Sequence, residues 1–266
     1  MKEPQLSPQD ASSETYRSVI LRAGPVAYWR LGESAGASTA FDETPNAHHG
    51  KYLSAPRFEQ PGAISGDGNR SVTFDGTSSV EIPNDPAFSQ PTSAAGLTVE
   101  AWVRPDKLVF PEQYIHWLGK GAAGQFEWGF RFYSASDVER PNRMSAYVWN
   151  PNGGRGAGAY FQDTIVVGEW IHVVACFEPG DASVGQAGVQ IYKNGACRKG
   201  PPHRGTLYKN PNPDGWNIMP AHGIAPVRIG TRDLRTFLIG GLDEVAIYPR
   251  VLTADEIRLH YDVGVG

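Results

Sequence analysis

FEWGFRFYS, residues 126–134, decides the fold class. Phe126, Trp128, Phe130 and Phe132 alternate with Glu127, Gly129, Arg131 and Tyr133. Alternation with a period of two puts the two sets on opposite faces of an extended strand. An aromatic row on one side predicts a face packed against a second sheet. The reading extends outward to YIHWLGKG (114–121) and MSAYVWN (144–150), and then to AYWRLG (27–32), SVTFDG (71–76), SVEIPN (79–84), LTVEAWVRP (97–105), WIHVVACFE (170–178), VQIYKNG (189–195), PVRIGT (226–231) and GLDEVAIYPR (241–250). Most of these runs are rich in β-branched and aromatic residues and bounded by Gly, Pro, Asn or Asp, as strands are.

Between and around the strands lie a few local signals. Asn194-Gly195 tolerates positive φ at both positions and predicts a two-residue hairpin. Residues 14–22 place Tyr16, Val19 and Ile20 at helical spacing before Gly24 and Pro25, a short helix. Thr253 and Glu256 form a T-x-x-E capping box that opens a second helix, with Ile257 and Tyr261 on one face. Residues 33–70 and 198–225 read as long irregular stretches, which in compact domains are usually functional or disordered. The second contains His203, Trp216 and His222. The polar segment 1–13 reads as a flexible N-terminal arm, and 14–266 as a single β-sandwich domain.

Composition narrows the function. The 266 residues include 31 Gly and 21 Pro, which suits many short strands with tight turns. The net charge of −4 and the absence of a Lys/Arg run argue against nucleic acid as a partner. No apolar run of about 18 residues predicts a membrane span. The N-terminus has no apolar signal-peptide core, which leaves a cytoplasmic or virion-associated location, or export by another route. Cys176 and Cys197 read as a buried core thiol and an unrelated thiol, with a disulfide as the alternative.

Taken together, PVAYWRLGE, FDETPNAHHGKY, SVTFDGTSSVEIPN, LTVEAWVRP, WIHVVACFE with VQIYKNG, and IGGLDEVAIYPRVLTADEIRLHY resemble, in order and spacing over roughly residues 25–262, the laminin-G-like domains of the concanavalin-A-like lectin/glucanase jelly-roll family. The resemblance implies an all-β, two-sheet antiparallel sandwich with short N- and C-terminal helices. It implies a structural Ca²⁺ at the sandwich edge, which by position falls to Asp42, Asn46 and Asp243 with backbone carbonyls near Gly50. Calcium takes about 6–8 oxygen ligands of these kinds. The alternative is that Asp42 organises a turn and Asp243 accepts backbone amides. Adjacent His48 and His49 point apart in an extended segment, which disfavours zinc.

The family binds glycans or proteins, and related folds include polysaccharide hydrolases and lyases; a fold does not choose among these. In this chain the face opposite the aromatic row carries Arg131 and Tyr133. Tyr147 and Trp149 follow on the next strand, and His116, Arg143, Tyr160 and Trp216 are further candidates. Flat rings interleaved with polar groups suit a sugar; the alternative is a second small core. No E-x-D-x-x-E run supplies the paired carboxylates of a glycosidase, and no G-x-S-x-G elbow is present. The expectation is a calcium-stabilised, lectin-like, non-catalytic module for a glycan or surface partner, open to an oligomer or larger assembly. The alternatives are an adhesion or decoration part of a phage tail or cell-surface assembly, and a polysaccharide-active lyase or hydrolase.

Overall fold

The computed structural model describes residues 14–89, 96–150, 155–161, 163–177, 189–197 and 222–266. Two antiparallel sheets stack face to face. The first contains β1 (Ala27–Trp29), β4 (Arg57–Pro61), β5 (Arg70–Asp75), β7 (Leu97–Pro105), β12 (Ile171–Phe177), β13 (Val189–Lys193), β14 (Ala196–Cys197) and β16 (Ile239–Tyr248). Their order is β14-β13-β12-β7-β16-β5-β4, with β1 also on β16. The second contains β2 (Thr39–Ala40), β3 (Gly50–Leu53), β6 (Ser79–Ile82), β8 (Tyr114–Lys120), β9 (Trp128–Tyr133), β10 (Met144–Asn150), β11 (Arg155–Tyr160) and β15 (Val227–Ile229). Their order is β11-β10-β9-β8-β15-β6-β3-β2. The mainly consecutive run β8 to β11 is hairpin-built, whereas β7 and β16, distant in sequence, pair along nearly their whole length.

The space between the sheets is filled by one apolar cluster. Trp29, Phe74, Val99, Val103, Trp117, Phe130, Phe132, Val173, Phe177 and Ile247 all belong to it. Trp128, Phe130 and Phe132 point into it as the alternation predicts. Phe126 does not: it precedes β9, and its ring sits on the opposite side, edge-on to Trp149. A strand-period reading run one turn too far causes this miss. Asn194 and Gly195 both have positive φ, 52° and 71°, and Lys193 pairs with Ala196 across them, so the predicted hairpin forms.

Two irregular stretches contain more order than their composition suggests. Residues 33–70 hold β2, β3 and β4. These are short pieces near the sheet edges, where few side chains are buried on both faces and the apolar pattern is weak. β11 reads RGAGAY, without the β-branched residues that mark a strand. It pairs with β10 so that Gly158 lies opposite Tyr147 and Gly156 opposite Trp149. A glycine facing an aromatic cross-strand neighbour gains cover for its backbone that its own side chain cannot give.

Helix α1 (Tyr16–Arg22), capped by Thr15, and α2 (Ala254–Val265), with the Thr253–Glu256 capping box complete, lie on the outer face of the first sheet. Tyr16 and Ile20 from α1 and Ile257 from α2 pack there with Trp102, Val174 and Tyr248. Beneath them the buried Glu100 carboxylate accepts hydrogen bonds from Tyr16 (3.0 Å), Tyr248 (2.8 Å), His172 Nε2 (2.7 Å) and His260 Nδ1 (2.9 Å). Burial alone would raise this carboxyl, but the His260 charge and the histidine hydrogen bonds hold it well below the usual carboxylate range. Cys176 and Cys197 are thiols, the first buried against Thr98 and Leu252.

Candidate functional site

The outer face of the second sheet gathers the residues expected to meet a ligand. Cross-strand register explains how. His116 on β8 lies opposite Arg131 on β9, Arg131 opposite Ser145 on β10, and Ser145 opposite Tyr160 on β11. One row further along, Gly119, Gly129, Tyr147 and Gly158 are in line. The β8 strand keeps His116 and Gly119 on this face by a bulge between His116 and Leu118, which lets Trp117 and Leu118 both enter the core.

Arg131 is held between two rings, its guanidinium carbon 4.2 Å from the Tyr114 centroid and 3.7 Å from that of Tyr147. Its Nε donates to His116 Nε2 at 3.2 Å, and the Tyr147 hydroxyl is also 3.2 Å from that nitrogen. Burial and the charges of Arg232 and Arg131 push the His116 imidazole well below its ordinary range, so it stays neutral and accepts. Tyr133 packs edge-on to Tyr114, with Arg140 over its ring. Tyr133 and Tyr147 form a small buried cluster against the partly buried Tyr114, Trp149 and Tyr160. Both sequence expectations for these rings therefore describe part of the face: a packed floor, and a rim that solvent reaches. Arg143 is tied to Pro141 O and Thr164 Oγ1. Trp216 lies outside the described residues.

Arg232 was missed by sequence reasoning. It leaves a short loop closed by the Thr231–Phe237 bridge, and its carbonyl accepts from Arg228. Its stem lies across a glycine floor: a Cβ on Gly119 would stand 3.0 Å from Arg232 Cγ, and one on Gly129 3.4 Å from Arg232 Cδ. The guanidinium stacks 3.9 Å from the partly exposed Phe126 ring and pairs with Asp233 at 2.9 Å. Nothing in the local sequence marks it; the paired glycines in GK and WGF are the nearest signal. Glu127 also differs from its solitary appearance in sequence. It makes a fully buried ion pair with Lys120, and Gly223 N donates to it at 3.0 Å.

The residues expected at a calcium edge do other work. Asp42 Oδ1 accepts from Tyr28 N and Thr44 N, and Oδ2 from Thr44 Oγ1 and His48 N, all at 2.8–2.9 Å. Asn46 donates to Val26 O. Gly50 is packed so closely that a Cβ would meet Val80 at 2.4 Å. Asp243 is fully buried and accepts from Ala63 N at 2.7 Å. It sits where β16 changes partner on one edge, from β5 to β1, and the next residue, Glu244, takes φ +53° in that bulge and binds Arg30 and Tyr28. Burial pushes Asp243 up, and pushes Glu244 up to about 7 against the pull of Arg30. Both Asp42 oxygens and Asp243 Oδ2 thus already accept protein donors, and a cation at this edge would have to compete with them. No group of three or more His, Cys, Asp or Glu side chains among the described residues is placed to hold a metal. His48 and His49 diverge, one ring against Phe88 and the other against Phe41.

Among the described residues no helix is long and apolar enough to cross a membrane. A search of curated protein sequences finds no match. Solved structures do match in fold. The receptor-binding domain of botulinum neurotoxin mosaic serotype C/D superposes with a TM-score of 0.60 at 10% identity, over 90% of this chain and 51% of that one. Domain 4 of an extracellular arabinanase from Geobacillus stearothermophilus, in complex with arabinotriose, gives 0.58 at 18% identity over 90% and 98%. Trypanosoma rangeli sialidase in complex with sialic acid gives 0.57 at 16% identity over 90% and 33%. The chain thus spans about half of the neurotoxin receptor-binding domain and nearly all of the arabinanase domain. A family model matches residues 74–258, from the end of β5 to the start of α2, and the chain belongs to the concanavalin A-like lectin/glucanase superfamily.

Proposed function

We propose that this chain is a lectin-like, non-catalytic module that binds carbohydrate on the outer face of its second sheet. The observation that carries the reading is the continuous face on which the rings of Tyr114, Tyr147, Trp149 and Tyr160 interleave with Arg131, His116 and Arg232. A sugar offers apolar C–H faces to rings and hydroxyls to fixed polar groups, and this face supplies both. The similarity to an arabinanase domain seen with arabinotriose is consistent with that use. The non-catalytic part of the proposal rests on two acids beside this face being held in buried ion pairs, Asp233 with Arg232 and Glu127 with Lys120, rather than free to act as acid or base.

The test is a glycan array probed with the full chain, with and without added Ca²⁺, followed by product analysis of every bound sugar. Retention of intact sugars supports the proposal. Shortened or unsaturated products would replace it with a polysaccharide-active enzyme. No retention would turn attention to a structural or adhesive role. Calcium enters only as an arm of this experiment.

A further inference from the structure

The glycan reading leaves the chemistry of the sugar open, and the buried donors of the same face narrow it. Arg232 is only 5% exposed, yet its Nε has no hydrogen-bond partner. Ser145, cross-strand neighbour of Arg131, is fully buried and its Oγ is also unpartnered. A buried polar group with an unmade hydrogen bond carries its full desolvation penalty uncompensated. Two on one face mark a place where an acceptor completes the structure. The loop is built to hold Arg232 there: Arg228 and the Thr231–Phe237 bridge fix its backbone, and Gly119 and Gly129 clear the sheet beneath its stem. Asp233 accepts from NH2 and leaves the Nε–H without an acceptor. A neutral His116 adds an acceptor and no charge, so the acidic partner must answer to the guanidinium groups.

A planar guanidinium edge matches a carboxylate in geometry and charge better than it matches a sugar hydroxyl. Resting on the glycan reading, we infer that the bound sugar carries a carboxylate, as uronic and ulosonic acids do, and that Arg232 receives it with Ser145 as a second donor on the face that Arg131 shares. Phe126, whose ring lies on the Arg232 guanidinium, and Trp149 are partly exposed rings in edge-to-face contact.

The experiment compares an acidic oligosaccharide, polygalacturonate-derived or sialylated, with the same molecule after chemical reduction of its carboxyl groups, and with a sulfated neutral oligosaccharide, by titration calorimetry on the full chain. The carboxylated form is expected to bind about tenfold or more tightly than the reduced form, the scale of a hydrogen bond to a charged group. Arg232→Gln should abolish that ratio, and Arg232→Lys should not restore it, because an ammonium lacks the fork. Ser145→Ala, which removes one oxygen without disturbing the loop, should reduce the ratio a few-fold. Equal binding of both forms overturns this inference alone and leaves the glycan reading standing. Stronger binding of the sulfated sugar, or an unchanged ratio in folded Arg232→Gln and Ser145→Ala, also overturns it. Retention of no sugar overturns the glycan reading and this inference with it.

Discussion

On the outer face of the first sheet, Glu100 is ringed by two tyrosines and two histidines and roofed by two helices. On the outer face of the second, Arg131 and Arg232 lie among rings, and Arg232 Nε and Ser145 Oγ have nothing to bond. Both faces bury charge. The first surrounds a carboxylate with donors so completely that each carboxylate oxygen is bonded; of its partners, only His172 Nδ1 is left over. The second surrounds cations with π-faces; Arg131 still donates to His116 and Arg232 to Asp233, and of the Arg232 nitrogens Nε is left over. A satisfied buried network fixes a structure. One left incomplete on a clear, glycine-floored surface is where a ligand adds energy. The contrast also sorts the acids of this chain: Glu100, Asp42, Asp243 and Glu244 all serve the architecture.

The largest effect that would sharpen this comparison is expected from Glu100→Ala. Removing the anion strands two histidines and two tyrosines, and the loss of stability by urea or guanidinium denaturation should be about 3–5 kcal/mol. Sugar affinity of the protein that remains folded should not change. A small loss would mean that the first face is as incomplete as the second.

A smaller effect on the same face should appear with pH. Burial lowers His260, but the charge and hydrogen bond of Glu100 raise it further, so its net shift is upward. Glu256 adds to the rise and Arg250 opposes it. A raised histidine stabilises the fold below its unfolded value and loses that contribution as pH rises through the folded value. Stability should therefore decline as pH rises above the ordinary histidine range. The depressed Glu100 loses its contribution only as pH falls well below the usual carboxylate range. Denaturation midpoints against pH for the native chain and His260→Gln measure this; an equal slope in both would break the assignment.

On the second face the effects should fall on binding. Trp149→Ala removes a partly exposed rim ring and should weaken sugar binding severalfold, roughly the 1 kcal/mol of one aromatic contact, with the fold intact. Failure to fold would place Trp149 in the floor. Gly129→Ala should be the mildest. Its Cβ would meet Leu118 O at 3.3 Å, Arg232 Cδ at 3.4 Å and Tyr147 Cε1 at 3.6 Å, so stability should fall by about 1 kcal/mol. A slight lift of Arg232 should still be visible as a two- to threefold loss of affinity for acidic sugars by calorimetry.

Much of this was legible from the chain. β9 could be read from its alternation, the β13–β14 turn from Asn194-Gly195, and both helices from their caps, because each signal is local and acts through the backbone of its own residues. The placement of Arg131, Tyr133, Tyr147 and Trp149 on one face followed from the same period, whereas His116 and Tyr160 were only candidates to join it. Strands β2, β3, β4 and β11 were not legible. They are short or glycine-rich, and what holds them is the neighbour they pair with. The calcium expectation came from position in a family pattern, and its test is the Ca²⁺ arm of the glycan array.

Residue order determined that this protein is all-β, since period-two alternation buries one face of each strand, and the resemblance of its motifs to the concanavalin-A-like family implied the two-sheet sandwich. Tertiary structure decided which polar groups are complete. Glu100 meets His260 across 160 residues, and Arg232 reaches over Gly119 and Gly129 from a loop more than 100 residues downstream. Hydrogen-bond satisfaction is a property of atoms brought together by folding, and no spacing along the chain records it.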